Sequence, residues 1–549
     1  MKFHTSLPKY FIVSIVLLST SGIASGAESE TGCPESISDL SFASSDELAR
    51  LTEKVAGFGL RSTGSEAHEN NISWIAEQFS KMPGFVLSED YIDIERWQPL
   101  PLADNLPGRS LEKAAKLHVG EGKNGHGINV AGAIPYSKPT GSTPAEGELI
   151  YIQDAEDLTK EKVAGKMVIV DIPEVGISNL TLMLTSRYFT DDLWSSALKT
   201  YSRPYMGTNE TLAELLIKAG LAEAAGLIAA FDVPRDQIAG YFDPHLGMHF
   251  RVPAAFVGVD EAVALKNAAR KKQVASLTVD AIRDKARTRN LLATLPGRSK
   301  ERIVFVANTD GNTWVQENAN AGLVALADYF SKLPLNCRPR TLEFSFGTAH
   351  LHMSKEGTHQ YAQQIDDGFD TGTAVLAFAV EHLGTREIEA VDRPDGPGRE
   401  LRFTGEGENM GWFVGPSEAL IDASIEAIKN RKLDKLSVLR GQDIPSPTRT
   451  PTFCSFGGIG TYFHAHLVPT IALISGPWSL WAPSFGKEAV DFNRMRSQLL
   501  AVGDTTLRLA SVSADELAGD YLQERKRRAD GWKTCELVNP PEEAPAPSQ

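Results

Sequence analysis

Polar side chains that can bind a metal ion or move a proton follow several apolar segments in the second half of the chain. Asn308 and Asp310 follow RIVFVA, His350 follows TLEFSFGTA, and Glu381 and His382 follow AVLAFAV. In an open α/β sheet, ligands bind at the carboxyl ends of the strands, so we expect these groups to meet at one edge. Carboxylates, an imidazole and an open water position are what a hydrolytic zinc site needs.

The acidic residues also have structural interpretations. Asp310 lies in an Asp-Gly pair, which is typical of a turn. Glu317 precedes a segment of helical pattern, so it can be a simple helix N-terminal group. Glu381 is harder to interpret in this way, because a carboxylate at the end of a very apolar strand is costly to bury without a partner.

Four histidines near these strands have two interpretations each. His350 and His352 are two residues apart, so on a strand they share one face. His464 and His466 lie just before VPTIALI. Either pair can bind a metal ion, and either pair can instead hydrogen-bond within a packed crevice.

The segments around these groups predict the scaffold. RIVFVAN, TLEFSFGTAH, AVLAFAVEHLG and VPTIALISG are strand-like, and they alternate with helical patterns such as SEALIDASIEAIKN. This alternation is typical of an α/β fold with a mixed, mostly parallel sheet and helices on both faces. Residues 128–285 differ, because short strand-like runs such as KMVIVDIP and GLIAAFD dominate there. We interpret that stretch as a separate β-rich domain.

The N-terminus predicts export. Lys2 and Lys9 precede an apolar run, and small residues at 25–27 offer a cleavage site, so we interpret residues 1–27 as a signal peptide. A signal anchor is the alternative. No later segment is apolar enough to span a bilayer, so we expect a secreted, extracytoplasmic protein without a membrane span after signal cleavage. The net charge of −15, without a Lys/Arg block, argues against nucleic acid as a partner.

The cysteines and sequons agree with an oxidising compartment. The chain has four cysteines, which allow three pairings into two disulfides. Cys33 and Cys535 lie near the two ends, which suggests that they pair and that Cys337 pairs with Cys454. Four unpaired buried thiols are the alternative. The glycosylation sequons begin at residues 71, 179 and 209.

The chain resembles the co-catalytic zinc aminopeptidase superfamily, which includes glutamate carboxypeptidase and the transferrin receptor. RSTGSEAHENNISWIAEQF is similar to the N-terminal helix signature of that family, and NLLATLPGRSKERIVFVANTDG is similar to the segment that begins its catalytic sheet. Residues 128–285 resemble the protease-associated domain inserted in many members. The resemblance implies a peptidase-like domain formed by residues 45–127 and 286–526. The tail, residues 527–549, is rich in proline and acidic residues and is expected to be disordered.

The resemblance also implies where the acidic zinc ligands fall. The His-x-Asp motif of the family reads Asn308-Thr309-Asp310, so its aspartate is kept and its histidine is replaced. The bridging aspartate falls on Glu317 or Asn318. The next acidic ligand falls on Glu381.

Other family positions carry no ligand in this chain. The Glu-Glu pair, general base and then ligand, falls near His350 and Leu351, and the last histidine falls on Gly460. Asparagine is a poor zinc ligand beside imidazole, and leucine and glycine supply no ligand. The sequence therefore predicts either a site rewired through His350, His352, His464 or His466, or a site without function.

Two functions are consistent with these residues. The first is a secreted peptidase-like metallohydrolase that cleaves peptides with a divergent, mononuclear zinc site. In it Asp310, Glu317 and Glu381 bind the metal, and His350 is the general base, since an imidazole accepts a proton near neutral pH. The alternative is a catalytically inactive peptidase-like protein, without functional zinc, that binds a peptide or protein partner. The sequence leaves the substrate and the oligomeric state open.

Overall fold

The computed structural model describes residues 32–100, 109–120, 125–190, 192–243, 247–440, 456–532, 537 and 539–547. The predicted signal peptide, Cys454 and Cys535 lie outside the described residues. Strands and helices are numbered along the chain. The strands are β1 (Val86–Pro99), β2 (Ala115–Val119), β3 (His126–Ile128), β4 (Gly132–Ala133), β5 (Ala145–Tyr151), β6 (Met167–Asp171), β7 (Gly176–Ser178), β8 (Ser186–Phe189), β9 (Thr200–Ser202), β10 (Gly226–Ala230), β11 (Ala254–Val257), β12 (Val274–Val279), β13 (Ala281–Leu295), β14 (Ser299–Asn308), β15 (Arg340–Gly347), β16 (Ala374–Val380), β17 (Arg386–Asp392), β18 (Arg399–Gly407), β19 (Met410–Val414), β20 (Leu436–Arg440) and β21 (Thr470–Ile474). The α-helices are α1 (Ser45–Ala56), α2 (Glu66–Ser80), α3 (Arg109–Ala114), α4 (Lys160–Val163), α5 (Asn179–Thr185), α6 (Asp192–Ser195), α7 (Pro204–Leu221), α8 (Val259–Arg270), α9 (Ala319–Ser331), α10 (Gly357–Asp367), α11 (Glu418–Asn430), α12 (Gly460–Ala465), α13 (Phe492–Leu509), α14 (Ala514–Ala518) and α15 (Tyr521–Ala529).

A nine-stranded sheet forms the larger part of the molecule. Its strand order is β1-β13-β15-β14-β16-β21-β19-β20-β8. The four central strands, β15, β14, β16 and β21, are parallel to one another. The flanking pairs are antiparallel except for β19 and β20. The prediction of a mixed α/β sheet is confirmed, with the parallel pairing concentrated at its centre.

Both faces of this sheet are covered by helices. Ile303, Phe305 and Ala307 of β14 enter the core that also contains the apolar side chains of α9 and α13. The intervening Val304 and Val306 enter a second core with the apolar side chains of α10 and α12. Because successive side chains of a strand point to opposite faces, an unbroken apolar strand such as β14 requires a layer of helices on each side.

A second sheet has eight strands in the order β3-β2-β12-β5-β6-β10-β11-β4. Its strands lie between Ala115 and Val279, so the β-rich stretch expected from the sequence forms a sheet of its own. One strand from the middle of this stretch leaves it, because β8 pairs antiparallel with β20 of the nine-stranded sheet. Arg203 further ties the two parts together through a buried, bidentate ion pair with Glu408.

The disulfide differs from the sequence-based pairing. Cys33 is bonded to Cys337, so the predicted Cys33–Cys535 and Cys337–Cys454 bonds are wrong. Cys33 precedes α1 and Cys337 follows α9, and these two helices pack against each other. Distance along the chain therefore gave no guide to which cysteines meet in space.

Two of the three sequons are buried. Asn71 is fully buried in α2, and its amide donates a hydrogen bond of 2.8 Å to the Thr309 carbonyl. Asn179 is buried as well, and its amide donates to the carbonyl of Ser196. The glycosylation prediction is therefore wrong for these two positions, since neither amide can carry a glycan in this fold. Glycosylation of Asn209, in α7, stays a prediction.

The end of the chain also differs from expectation. Residues 539–547 pack against the body of the protein, and Ala544 is 2% exposed. The composition of this segment predicts disorder because it has few apolar residues, but backbone hydrogen bonds and ion pairs hold it in place. Within the described ranges, no helix has both the length and the apolar character needed to cross a bilayer.

Candidate functional site

The candidate site lies at the carboxyl end of the central strands. β14 ends at Asn308, and a buried polar loop leads from there to the start of α9. Asn308, Asp310 and Glu317 are all fully buried, although their side chains are polar. A loop that buries this many polar groups is uncommon, because each group needs a partner. These buried polar groups therefore lie at the end of β14, where the sequence places them.

Three buried side chains of this edge form a group with the composition of a metal site. The group consists of Glu317, Glu381 and His382, and one ligand atom from each lies within 4.8 Å of the others. Glu317 and His382 have φ angles of 63° and 52°, in the left-handed region that side chains other than glycine rarely adopt. Such backbone conformations occur preferentially at functional sites, where the surrounding structure holds them.

The carboxylate of Glu317 is only half satisfied by the protein. Its Oε2 accepts a hydrogen bond of 3.1 Å from the backbone N–H of Asn308. Its Oε1 is buried without a hydrogen-bond partner among the described residues. Burial raises the pKa of Glu317 to about 8, although the charge of His350 opposes this shift. The charge of Glu381 raises this pKa further, so the two carboxylates disfavour each other's ionised form.

Glu381 approaches the group from the end of β16. Its Oε1 accepts a hydrogen bond of 2.8 Å from the backbone N–H of Ile459. A Cβ atom on Gly458 would lie 1.9 Å from that oxygen, so the close approach of this loop requires glycine. Burial raises the pKa of Glu381 to about 7, while the charge of His350 opposes the shift.

His382 completes the group; the sequence placed it among the polar groups of this edge but did not single it out as a ligand. Its Nδ1 lies 2.7 Å from the carbonyl oxygen of Ser475, an acceptor, so Nδ1 carries the hydrogen. In the neutral imidazole the lone pair is then on Nε2, which is how metal-binding histidines are usually oriented. Its position directly after Glu381 was the feature of the sequence that could have identified it as a ligand.

Asp310 has a different position from the other predicted ligands. It is not among the three residues of the group, and both of its oxygens accept hydrogen bonds from protein donors. Thr63 donates its hydroxyl to Oδ2 at 2.5 Å, and the backbone N–H groups of His350 and Leu351 donate at 3.2 and 2.7 Å. These amides follow Ala349, whose φ is 64°. Asp310 therefore holds a strained loop beside the group.

His350 lies in a buried chain of hydrogen bonds. Its Nδ1 is 3.1 Å from Oε1 of Glu356, and Oε2 of Glu356 accepts a hydrogen bond of 2.6 Å from the hydroxyl of Tyr462. Burial lowers the pKa of His350, but the charge of Glu356 and its hydrogen bond outweigh this effect. The charges of Glu317 and Asp310 add to the increase, and the pKa rises to about 10. At neutral pH this imidazole is a cation, which cannot act as a base until it loses its proton.

The other three histidines considered above lie outside the group, as far as the structure describes the chain. His352 bonds the carbonyl of Glu95 and the hydroxyl of Ser354. His464 bonds the hydroxyl of Tyr521, and His466 bonds Asp366. His352 and His464 thus have the structural interpretation, as histidines hydrogen-bonded within the packed protein. The ring of His466 is held through Nδ1, whereas its buried Nε2 has no hydrogen-bond partner among the described residues.

Gly460, where the family has its last histidine, begins α12. A Cβ atom there would lie 2.4 Å from the Cβ of Ala472, so this position holds no side chain. Asn308 accepts a hydrogen bond of 2.6 Å from the Thr358 hydroxyl. That the expected two-zinc ligand set is incomplete at Asn308, Leu351 and Gly460 stays a prediction from the sequence resemblance.

Residues 61–71, RSTGSEAHENN, contact the polar loop that leads from Asn308 to α9. The guanidinium of Arg61 donates to the carbonyl of Gln316, directly before Glu317. His68 and Asn71 of α2 bond the hydroxyl and the carbonyl of Thr309. The segment RSTGSEAHENN thus has a structural role, since these residues fix the loop from which Glu317 projects.

Three solved structures are similar in fold over most of their length. An aminopeptidase from Aneurinibacillus sp. strain AM-1 has 15% identity and a TM-score of 0.52, and the match covers 92% of this chain and 98% of that chain. A zinc aminopeptidase from Bacillus subtilis has 14% identity and a TM-score of 0.56, covering 86% and 97%. A peptidase M28 precursor from Shewanella amazonensis SB2B has 15% identity and a TM-score of 0.59, covering 85% and 96%.

Sequence comparison adds nothing to this likeness, since no family model and no curated protein matches the chain. Solved structures with sequence identities of 14–15% establish a similarity of fold alone. The chain therefore has the fold of the zinc aminopeptidases, as its motifs predicted.

Proposed function

We propose that the protein is a peptidase-like metallohydrolase with a divergent, mononuclear zinc site formed by Glu317, Glu381 and His382. The observation that carries this proposal is the convergence of these three buried ligand groups within 4.8 Å. The fold of the zinc aminopeptidases supports the reaction class. Peptides are the substrate class that follows from it.

The residues present fit a zinc ion. Two carboxylates buried close together are unfavourable unless a cation or protons neutralise them. Glu317 Oε1, buried without a hydrogen-bond partner within the described ranges, is suited to accept such a cation. Carboxylates and imidazoles are both zinc ligands, and a catalytic zinc usually takes three protein ligands. The sequence-based set changes accordingly, with His382 in place of Asp310.

Zinc bound there would supply a Lewis acid and lower the pKa of a bound water. The chain's own residues would then orient and hold protons around it. Glu356 fixes the ring of His350 through Nδ1, and Tyr462 fixes Glu356. We propose that His350 serves as the proton carrier of the site, since a cation held by Glu317 and Glu381 would offset their charges and lower the pKa of His350. Asp310 positions the loop that carries His350.

A catalytically inactive protein that binds a peptide or protein partner is the second candidate. Its support is that His350 carries a positive charge at neutral pH and already opposes the charges of Glu317 and Glu381. An imidazolium can therefore neutralise part of the carboxylate pair without a metal ion. The incomplete ligand set at Asn308, Leu351 and Gly460 agrees with this alternative.

Two further proposals concern the rest of the chain. We propose that the eight-stranded sheet is an inserted protease-associated domain, which rests on the sequence motifs of residues 128–285. We also propose that the protein is exported. The Cys33–Cys337 disulfide supports an oxidising compartment, since such bonds are rare in reducing ones.

Zinc binding to the purified protein tests the first proposal. Calorimetric titration of the metal-free protein should show one zinc ion per chain. The variants Glu317→Gln, Glu381→Gln and His382→Asn should each weaken binding at least about tenfold. Glu418→Gln, an exposed position at the start of α11, is the control and should bind as the wild type does. Hydrolysis of a panel of free-amine peptides before and after chelation then separates the two functions. Stoichiometric zinc without chelator-sensitive cleavage would favour the inactive protein, and absence of zinc binding would overturn the metal site.

A further inference from the structure

The last described segment of the chain, residues 539–547, crosses the protein as a strap. We call this segment the C-terminal strap. The backbone N–H of His249 donates a hydrogen bond of 2.9 Å to the carbonyl of Glu542, and the N–H of Ala544 donates one of 2.9 Å back to the carbonyl of His249. Glu543 thus forms a parallel β-bridge with His249. This is how an extended peptide pairs with an open backbone edge.

Side chains of the body add to this backbone pairing. The guanidinium of Arg251 donates to the carbonyls of Ala544 and Pro545, at 2.9 and 3.1 Å. Arg283 forms an ion pair with Glu543. The backbone N–H of Glu95 donates to the carboxylate of Glu542 at 3.2 Å. The body of the protein therefore donates hydrogen bonds both to backbone carbonyls and to acidic side chains of the strap.

One strap side chain is packed rather than solvated. Ala544 is 2% exposed, while its neighbours Glu543, Pro545 and Ala546 are exposed. A small residue therefore fits the position of Ala544, and a large one does not. The strap has the recognition features of a peptide ligand, with one small buried anchor flanked by acidic residues and prolines.

The strap is anchored to residues that border the candidate site. The carbonyl of Glu95 accepts hydrogen bonds from both His249 and His352, each at 2.8 Å. Burial lowers the pKa of His352, while the charges of Glu542 and Asp310 act in the opposite direction. His352 therefore lies within electrostatic reach of both the strap and the polar loop of the site.

A second anchor lies at the start of the strap. The side chain of Asn539 lies 2.8 Å from Nδ1 of His359 on α10. The ring of His359 stacks on Tyr462 with centroids 5.0 Å apart, and Tyr462 bonds Glu356, the partner of His350. The strap thus contacts α10 through Asn539 and β1 through Glu542.

We propose that Glu95, His249 and Arg251 form a binding site for an extended peptide, and that the strap occupies this site as a built-in competitive inhibitor. The ligand class is a peptide with a small residue at the Ala544 position and acidic residues before it. This inference concerns access to the site of the proposed function, but peptide binding does not depend on zinc or on hydrolysis. The two proposals can therefore fail separately.

Tethering explains why the strap fills the peptide site, and its small buried surface explains why it can be released. A segment tethered to the same chain reaches effective concentrations in the millimolar range, so even a weak peptide site stays filled. Because the strap buries one small side chain, its release exposes little apolar surface and resembles local opening more than global unfolding.

Binding of the strap sequence in trans tests the proposal on the full chain. The probe is a fluorescent synthetic peptide of residues 539–549, NPPEEAPAPSQ, and the readout is anisotropy. Ala544→Arg should expel the strap of the protein, because the Arg side chain does not fit a buried alanine position. The variant should then bind the peptide at least about tenfold more tightly than the wild type. Ala546→Arg adds the same side chain at an exposed position of the strap, and it should bind as weakly as the wild type.

Controls keep the result interpretable. A peptide with the same composition in scrambled order should not bind the Ala544→Arg variant. A second protein that ends at residue 538 should bind the peptide as Ala544→Arg does, with circular dichroism confirming that both are folded. If neither protein binds the peptide, or if the wild type binds it equally well, the strap is a structural element and the proposal is overturned.

Discussion

Nδ1 of His350 lies 3.1 Å from Oε1 of Glu356, and both side chains are buried. Removal of Glu356 takes away the strongest compensation for a buried imidazolium, which is strongly destabilising. We expect Glu356→Gln to lower the free energy of unfolding at neutral pH by about 3 kcal/mol. Tyr462→Phe removes one hydrogen bond to the same carboxylate and should cost about 1 kcal/mol. Urea unfolding measures both values, and equal losses would contradict a charged His350.

Asp310 is expected to contribute mainly to stability. Asp310→Ala leaves the Thr63 hydroxyl and the amides of His350 and Leu351 without their acceptor. The free energy of unfolding should fall by at least about 2 kcal/mol, since each orphaned buried donor is costly. Asp328→Ala, at a half-exposed position of α9, is the control and should change it by less than about 0.5 kcal/mol. Thermal or urea unfolding decides, and a stable Asp310→Ala protein would show that this loop does not depend on its carboxylate.

His464 should make the protein sensitive to acid. Burial lowers its pKa from the usual 6.5 to about 3, so the folded protein resists protonation of this ring. The unfolded chain takes up that proton, so this contribution to stability is complete above about pH 6.5 and is lost as the pH falls toward 3. Between about pH 7 and pH 5 it amounts to about 2 kcal/mol.

His464→Phe tests this contribution, since it keeps a ring against Phe456 and removes the titrating group. The variant should lose about 2 kcal/mol less than the wild type between the two pH values. His126→Gln, at an exposed position, should follow the wild type. Identical pH dependence of all three proteins would mean that His464 already carries a proton in the folded state.

Cys33 and Cys337 should be recovered as one cross-linked peptide pair after digestion without reduction. Their bond closes a sequence separation of 304 residues, and its loss should cost about 2–4 kcal/mol of unfolding free energy. Mass spectrometry of the digest identifies the pair, and denaturation of a Cys33→Ser/Cys337→Ser variant gives the energy. Recovery of a Cys33–Cys535 peptide instead would contradict the fold at the N-terminus.

Zinc should raise the thermal stability of the protein by mass action. At a free concentration about 100 times the dissociation constant, a ligand of the folded state adds about 2.7 kcal/mol. The Glu317→Gln variant lacks one ligand and should show little of this increase, whereas the exposed control Glu418→Gln should show all of it. Differential scanning calorimetry with and without zinc measures the effect. An equal increase in all proteins would place the zinc elsewhere.

The sequence by itself determined the scaffold. Short apolar runs such as Val304–Ala307, alternating with helical patterns, predict strands that are buried on both faces between two layers of helices. The polar groups after those strands also had to lie at one sheet edge, because parallel strands share their direction. Both properties are local or follow from strand direction, so residue types alone were sufficient to predict them.

Tertiary structure alone decided which of these groups meet. Glu317 and Glu381 come from different strand ends, and their convergence with His382 depends on backbone angles that the sequence does not reveal. Asp310 matched the family motif, but it accepts hydrogen bonds from Thr63 and from the backbone of the loop that follows β15. It therefore holds this loop in place and is not part of the group of Glu317, Glu381 and His382. Contacts between residues far apart in the chain set these outcomes, as they set the partner of Cys33 and the docking of the C-terminal strap. Local patterns specify direction and burial, whereas the choice among chemically similar partners depends on distances that exist only in the folded chain.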